Sequence, residues 1–468
     1  MIAGLRGSSG KTLVSLAVIA LLRKRGWKVR AFKKGPDFVD SAWLTLASQS
    51  PCYTLDAYLA SNDKVKNSFL RQIRDADIAV IEGNRGLFDG MDIDGSYSSA
   101  QLAKLLGVPV IIVLDATKVT RTASAMILGC KSMDPELPIA GVILNQVGGK
   151  RHEEILRESI EKTTGVQLVG ALPKIDIKLP ERHLGLVMPQ EHGFALDVVE
   201  KLADIADGKI NLDMLVGMAG QVVTSEDADV PSTTKRKIKI GVIRDISFQF
   251  YYPENLDKLR KEGAELIEIN ALKEDKLPEV SALYIGGGFP ETMAQLLASN
   301  ESFRKSVLQA VERGVPVWAE CGGAMFLGRY VEFNGRQYPM VGIFPLEFGF
   351  SEKPQGHGYT ELKVDKPNPF FNIGKTIRAH EFHYSFVKKA EGIETVFEVK
   401  RGYGIDGARD GMIYKNTVAL YSHIYDLEGE IGWAKSFVDS ALMFEKTKTP
   451  NIGLKQEDIV REGALRAL

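Results

Sequence analysis

Cysteine is scarce in this chain. Cys52, Cys130 and Cys321 are spread over 468 residues with no CxxC pair, which excludes a disulfide framework and a thiolate metal site and points to a reducing compartment. Excess charge is missing too. Lys and Arg number 59 against 60 Asp and Glu, a net charge of −1, so the chain as a whole attracts neither nucleic acid nor an anionic membrane, and any anion must be held by local geometry. Long apolar runs are absent: none approaches the ~18 residues of a membrane span. The stretch Thr12 to Leu22 imitates a signal peptide but ends in Arg23-Lys24-Arg25 without a small-residue cleavage site. A cytoplasmic protein with no nucleic-acid or membrane partner is expected. What is present is an ordinary globular balance, 44% hydrophobic and 25% charged residues, in a length that suits two or three domains.

Short apolar runs alternate with helical patterns in the first half. Strands are predicted at Val29–Lys33, Ile78–Ile81, Val108–Leu114, Ile139–Leu144 and Leu168–Leu172, with helices around Leu13–Lys24, Ser98–Leu106 and Arg151–Thr163. This rhythm predicts an α/β fold with a doubly wound parallel sheet. A polar, Pro-interrupted stretch marks a linker at 225–236. The expected division is therefore a first domain at 1–224, a second at 237–446 and a tail at 447–468. The second α/β series has strands at Ile238–Val242, Ala282–Ile285 and Val315–Ala319 and a helix at Asn255–Lys261, and from Tyr330 to Tyr421 it passes into short, Gly-punctuated strands. It reads as another Rossmann-like sheet.

The opening residues carry the first chemical signal. Gly4 is followed by LRGSSGKT and an amphipathic helix, one residue longer than the strict GxxxxGK[ST] spacing. Glycines there let backbone N–H groups close around phosphate oxygens, Lys11 reaches the terminal phosphates and Thr12 can ligate Mg²⁺. Glu82, closing the run DIAVIEG, is placed like a metal-binding acid. Asp37 and Asp40 in KKGPDFVDS and Asp89 in GLFDG follow strands, where open α/β sheets hold ligands. Each alone also suits a turn or a helix cap.

The second signal is VPVWAECGGAMFLG, which sets Cys321 between a buried strand and a helix. It is the cysteine counterpart of a nucleophile elbow, and the helix N-terminus is expected to favour the thiolate. Gly286, Gly287 and Gly288 offer N–H groups for an oxyanion hole, and His423 in LYSHIYD is the candidate base. Cys52 and Cys130 lack this context. His380 and His383 in RAHEFHYS lack HExxH spacing and a third ligand, so substrate contact or a structural hydrogen bond suits them better than zinc.

Taken in order, GLRGSSGKT, KKGPDFVD, EGNRGLFDG, LPERHLGLV, GGGFPE, AECGGAMFLG, GHGYT, RAHEFHYS and SHIYD resemble the cobyrinate a,c-diamide synthase family over about residues 1 to 445. The resemblance implies a dethiobiotin-synthetase-like P-loop domain joined to a class I glutamine amidotransferase domain of flavodoxin-like kind. It implies ATP, L-glutamine and a tetrapyrrole carboxylate as substrates, amidation of the a and c acetates, and Mg²⁺ accompanying ATP. On that likeness Gly7, Gly10, Lys11 and Thr12 form the ATP cradle, and Thr12 and Glu82 hold the metal. Asp37, Asp40 and Asp89 serve the synthetase site, Cys321 is the nucleophile and His423 its base. Arg182 and His183 look like substrate or nucleotide contacts, and Arg85 suits bidentate binding of a carboxylate.

Departures from the family pattern bear on the substrate. Leu44 stands near where a histidine usually follows PDxxD, Asn84-Arg85 replace smaller or apolar residues, and Tyr425 occupies the place where many Cys-His-Glu glutaminases carry the glutamate, so the third triad member is unassigned. Amidation of sirohydrochlorin, its nickel chelate or siroheme is therefore an open alternative. A ParA-like regulatory ATPase with a dead glutaminase is a distant one, and a homodimer is left open.

Overall fold

In the first half, Val110–Asp115 is apolar at nearly every position and almost wholly buried, the pattern of a central parallel strand covered on both faces. The structure, a computed structural model, describes residues 1–175, 177, 181–182, 185–191, 193–222 and 237–448. The expected linker at 225–236 and tail residues 449–468 lie outside the described residues. Seven strands, β1 (Ile2–Gly4), β2 (Val29–Lys34), β3 (Tyr53–Leu55), β4 (Ile78–Glu82), β5 (Val110–Asp115), β6 (Ile139–Val147) and β7 (Gln167–Pro173), form one sheet in the order β3-β2-β4-β1-β5-β6-β7. Every pairing in it is parallel. One face packs on the helices α1 (Lys11–Lys24) and α2 (Phe38–Ser48) through Val14, Leu21, Trp43 and Ala47. The other packs on Phe69, Leu102, Ile127 and Leu156. The doubly wound expectation is met.

The second half is built on a ten-stranded sheet. Its parallel part runs Ala264–Ile269, Ile238–Ile243, Ala282–Ile285, Val317–Glu320 and Thr417–Leu420. Antiparallel strands Arg409–Tyr414, Thr395–Arg401, Gly356–Val364, Thr376–His383 and His423–Ile424 continue it. A four-stranded sheet lies apart from it. The helix Trp433–Lys448 buries Trp433, Ala434, Phe437, Val438 and Ala441 against the Rossmann-like part.

A short segment of the first half carries several of the contacts between the two halves. Tyr53 donates to Asp257 at 3.0 Å, the Thr54 N–H donates to Glu254, the Tyr425 hydroxyl donates to the Thr54 carbonyl at 2.8 Å, and Tyr359 donates to Asp56 at 2.6 Å. Farther along, Lys64 pairs with Glu430 and Arg71 with Glu428. This docking turns the carboxyl edge of the first sheet towards the end of the strand that carries His423.

Candidate active site

The phosphate loop joins β1 to α1. Gly10 has φ 88°, and a Cβ there would fall 2.1 Å from the Asn145 amide nitrogen, so only glycine fits. That amide donates to the Ser9 carbonyl at 3.1 Å and braces the loop from β6. Lys11 Nζ donates to the Arg6 carbonyl at 3.1 Å. Burial, then neighbouring Lys33, pulls its ammonium below the ordinary lysine value. Gly7 is exposed, with open space where a Cβ would stand.

Beside the loop, Thr12 donates to Glu82 Oε1 at 2.9 Å. The same oxygen accepts from Lys33 at 2.8 Å, and Lys33 also pairs with Asp40 at 2.5 Å. Lys33 is almost fully buried; burial alone would depress its ammonium, but Asp40, Glu82 and Asp37 hold it above its usual value. Burial pushes the Glu82 carboxyl up, and its Oε2 has no hydrogen-bond partner. Thr12, Glu82 and Asp40 thus present hard oxygen donors with one buried oxygen to spare. Among the described residues no three His, Cys, Asp or Glu side chains form a metal cage. That set fits Mg²⁺, which takes one or two carboxylates and completes its shell with phosphate and water.

Asp37 caps α2, accepting from the Asp40 N–H at 2.9 Å, and burial together with Asp40 raises its carboxyl to about 7. Asp89 accepts from the Gly86 N–H at 2.9 Å. Arg85 is exposed on the loop after β4 with φ 50°. Leu44, by contrast, is fully buried in the apolar layer under α1, which removes it from any ligand. The side chains of Arg182 and His183 lie outside the described residues.

The second centre lies at the carboxyl end of Val317–Glu320. Cys321 has φ 47° and ψ −103°, and its N–H is held by the Leu420 carbonyl at 2.7 Å, the strained turn of a nucleophile elbow. A Cβ built on Gly287 would lie 3.3 Å from Cys321 Cβ and 2.3 Å from His423 Cε1, so this glycine sits against both residues. Gly322 packs equally closely on the Gly288 nitrogen, 3.0 Å from its Cβ position. Two expectations are corrected here. Gly286 does not offer a free oxyanion donor, because its N–H donates to the Tyr251 hydroxyl at 2.7 Å. The helix end does not hold Cys321 as a thiolate either: complete burial, with Glu291 nearby, pushes the thiol up, and a helix of six residues carries too little dipole to offset that. Burial thus favours the protonated thiol of Cys321.

The partner of His423 was not legible in the sequence. His423 Nδ1 faces Glu320 Oε2 at 3.3 Å. Glu320 is buried, and its other oxygen accepts from Trp318 Nε1 at 2.9 Å. The carboxylate facing His423 belongs to the residue preceding Cys321, not to a position downstream of the histidine. Tyr425 ties the two halves together instead. His383 bonds the Ser385 carbonyl at 2.8 Å and stacks on Tyr421, a structural role. His380 pairs in register with His423 and leaves Nδ1 unpartnered. Burial raises the thiols of Cys52 and Cys130.

The phosphate loop and His423 face a single cavity of about 1360 Å³ whose wall includes Lys11, Asp37, Asp89 and Arg85 on one side and His380 and His423 on the other. Phe38, the first residue of α2, lies between them. Its ring stacks on Phe250 at 5.0 Å and meets the His423 imidazole at 4.9 Å.

Residues 1–187 match the CobQ/CobB/MinD/ParA nucleotide binding domain, and residues 239–430 match the CobB/CobQ-like glutamine amidotransferase domain. Together with the fold they define a glutamine-hydrolysing, ATP-dependent amidotransferase, a carbon–nitrogen ligase. The chain is 39% identical over 446 residues to the cobyrinate a,c-diamide synthase of Archaeoglobus fulgidus, covering 94% of this chain and 97% of that one. To that of Magnetococcus marinus it is 39% identical over 443 residues, covering 92% and 95%. It belongs to the cobyrinate a,c-diamide synthase family. Among the described residues no helix is long and apolar enough to cross a membrane.

Proposed function

We propose that this enzyme converts the a and c acetate carboxylates of cobyrinate to amides, using ATP and glutamine. The observation that carries the reading is the single cavity joining the Lys11 loop to His423, since ammonia made at one centre must reach an acid activated at the other.

In the second half, His423 takes the proton of Cys321 as sulfur attacks the glutamine amide, and the backbone N–H groups of Gly287 and Gly288 receive the oxyanion. Glu320 steadies the imidazolium. Ammonia leaves, and water releases glutamate from the thioester. In the first half, the phosphate loop and Lys11 hold ATP while an acetate oxygen takes the γ-phosphoryl group; ammonia then displaces phosphate from the acyl phosphate. Mg²⁺, held by Thr12 and Glu82, would neutralise phosphate charge. Asp37 and Asp40 line the same cavity, and the raised carboxyl of Asp37, about 7, suits it to accept the proton that attacking ammonia must lose.

Cys321→Ala tests the two-centre reading. Amidation with glutamine should vanish, while amidation with high ammonium persists, read as the mass change of the tetrapyrrole. Equal loss with both donors overturns it. Preference for sirohydrochlorin over cobyrinate in the same assay replaces the substrate named here.

A further inference from the structure

Cations on the wall of the shared cavity differ in what they already hold. Lys11 is bonded to the Arg6 carbonyl, Lys34 lies within reach of the Asp56 carboxylate, and Lys33, which is not part of the wall, is saturated by Asp40 and Glu82. Arg85, on the loop after β4, and Arg401, at the end of a strand in the second half, both line the cavity and are exposed. Among the described residues neither has an ion-pair partner. Arg401 is steered into place by the Tyr58 ring, 5.8 Å from its guanidinium carbon. Arg378 lies over the same ring at 5.1 Å and bonds the Tyr58 carbonyl at 3.3 Å, but it is not part of the cavity wall.

His357 also lines the cavity, from the strand Gly356–Val364, and the positive charge of Arg85 reaches it across the domain seam. Exposed guanidinium groups from both halves therefore face one cavity without an ion-pair partner among the described residues, an arrangement that favours an anionic ligand. The wall also carries aromatic and apolar side chains. His357 and Phe382 set their rings 4.7 Å apart, and Met91 and Tyr97 line the wall contributed by the first half, surfaces suited to the flat face of a large ring.

We propose that Arg401 of the glutaminase half, acting with Arg85 and His357, binds peripheral carboxylates of the tetrapyrrole, so that the acceptor site is shared by both halves. The inference rests on the tetrapyrrole reading above and adds a role for the second half beyond making ammonia. Each amidation turns one carboxylate into a neutral amide, so a cationic rim grips the product more weakly than the substrate and aids its release.

Steady-state kinetics with cobyrinate test this. Arg401→Gln should raise KM for the macrocycle about tenfold, the loss of one charge-assisted hydrogen bond. KM for ATP and glutaminase turnover should stay within about twofold by the same reasoning, since Arg401 touches neither centre. Arg401→Lys should recover part of the loss, and Arg378→Gln should leave macrocycle KM unchanged. An unchanged KM in Arg401→Gln overturns the proposal. So does an equal rise in Arg378→Gln, which would reduce Arg401 to a support for Tyr58. Failure of the unmodified enzyme to amidate any tetrapyrrole would instead overturn the substrate reading.

Discussion

Replacing Glu320 by Gln isolates the carboxylate that the geometry sets behind His423. Gln keeps an amide oxygen for Trp318 Nε1, so the buried indole N–H is not orphaned and the fold should survive. What is lost is a negative charge 3.3 Å from the imidazole. Two unit charges at that distance interact by about 5 kcal/mol at an effective dielectric near 20. The amide dipole and local relaxation recover roughly half, leaving about 2–3 kcal/mol against the imidazolium that forms when Cys321 gives up its proton. The rate of glutamine hydrolysis should therefore fall by close to two powers of ten, with KM for glutamine little changed. The assay is glutamate release at saturating glutamine, paired with amidation driven by ammonium, which bypasses this centre and should be unaffected. Glutamine hydrolysis within about threefold of the unmodified enzyme would be under 1 kcal/mol, and would show that Glu320 only supports Trp318. Equal loss with ammonium would show a damaged fold.

Two other perturbations probe the seam between the halves. Glu254 receives the Thr54 N–H, and burial raises its carboxyl from an ordinary value near 4.5 to about 8. The folded chain thus binds this proton more tightly than the unfolded one, and stability is lost as pH rises from about 4.5 through about 8; Glu254→Gln should flatten the fall in Tm across that window, and an unchanged slope would refute the assignment. Phe38→Ala removes the ring between His423 and the acidic cluster, and should raise the glutamate formed per amide produced while leaving ammonium-driven amidation intact. A ratio equal to that of the unmodified enzyme would show that the ring does not couple the two reactions.

How much of this was legible depended on where the signal lay. The central strands of the first sheet announced themselves because full burial on both faces leaves unbroken apolar runs, as in Val110–Asp115. The helix Phe38–Ser48 was hidden behind the turn signature of Gly35-Pro36-Asp37, although Asp37 is its cap. The strand Ala264–Ile269 sits at the edge of its sheet and alternates Glu265 and Glu268 with apolar residues, so it read as nothing in particular. Trp433–Lys448 carries a helical stripe that closely spaced glycines upstream obscured. At the site, residues with a local signature, Lys11 and Cys321 among them, were found. Lys33, Asn145, Glu320 and Arg401 act through partners 49 to 136 positions away or, for Glu320 and Arg401, through pairings and ring contacts made only once the halves dock or the strands align. No local pattern encodes such partners.

Strand β3 terminates the first sheet, and the outer side of such a strand is a template on which stray chains can assemble. Here the Thr54 N–H is taken by Glu254 and its carbonyl by the Tyr425 hydroxyl, so two side chains from the second half stand in for a missing neighbouring strand. Severing the chain between its halves would uncover that template as well as parting two catalytic centres. The ligase half alone should be prone to aggregate, and the glutaminase half, by shielding it, serves as a built-in chaperone for the sheet to which it delivers ammonia.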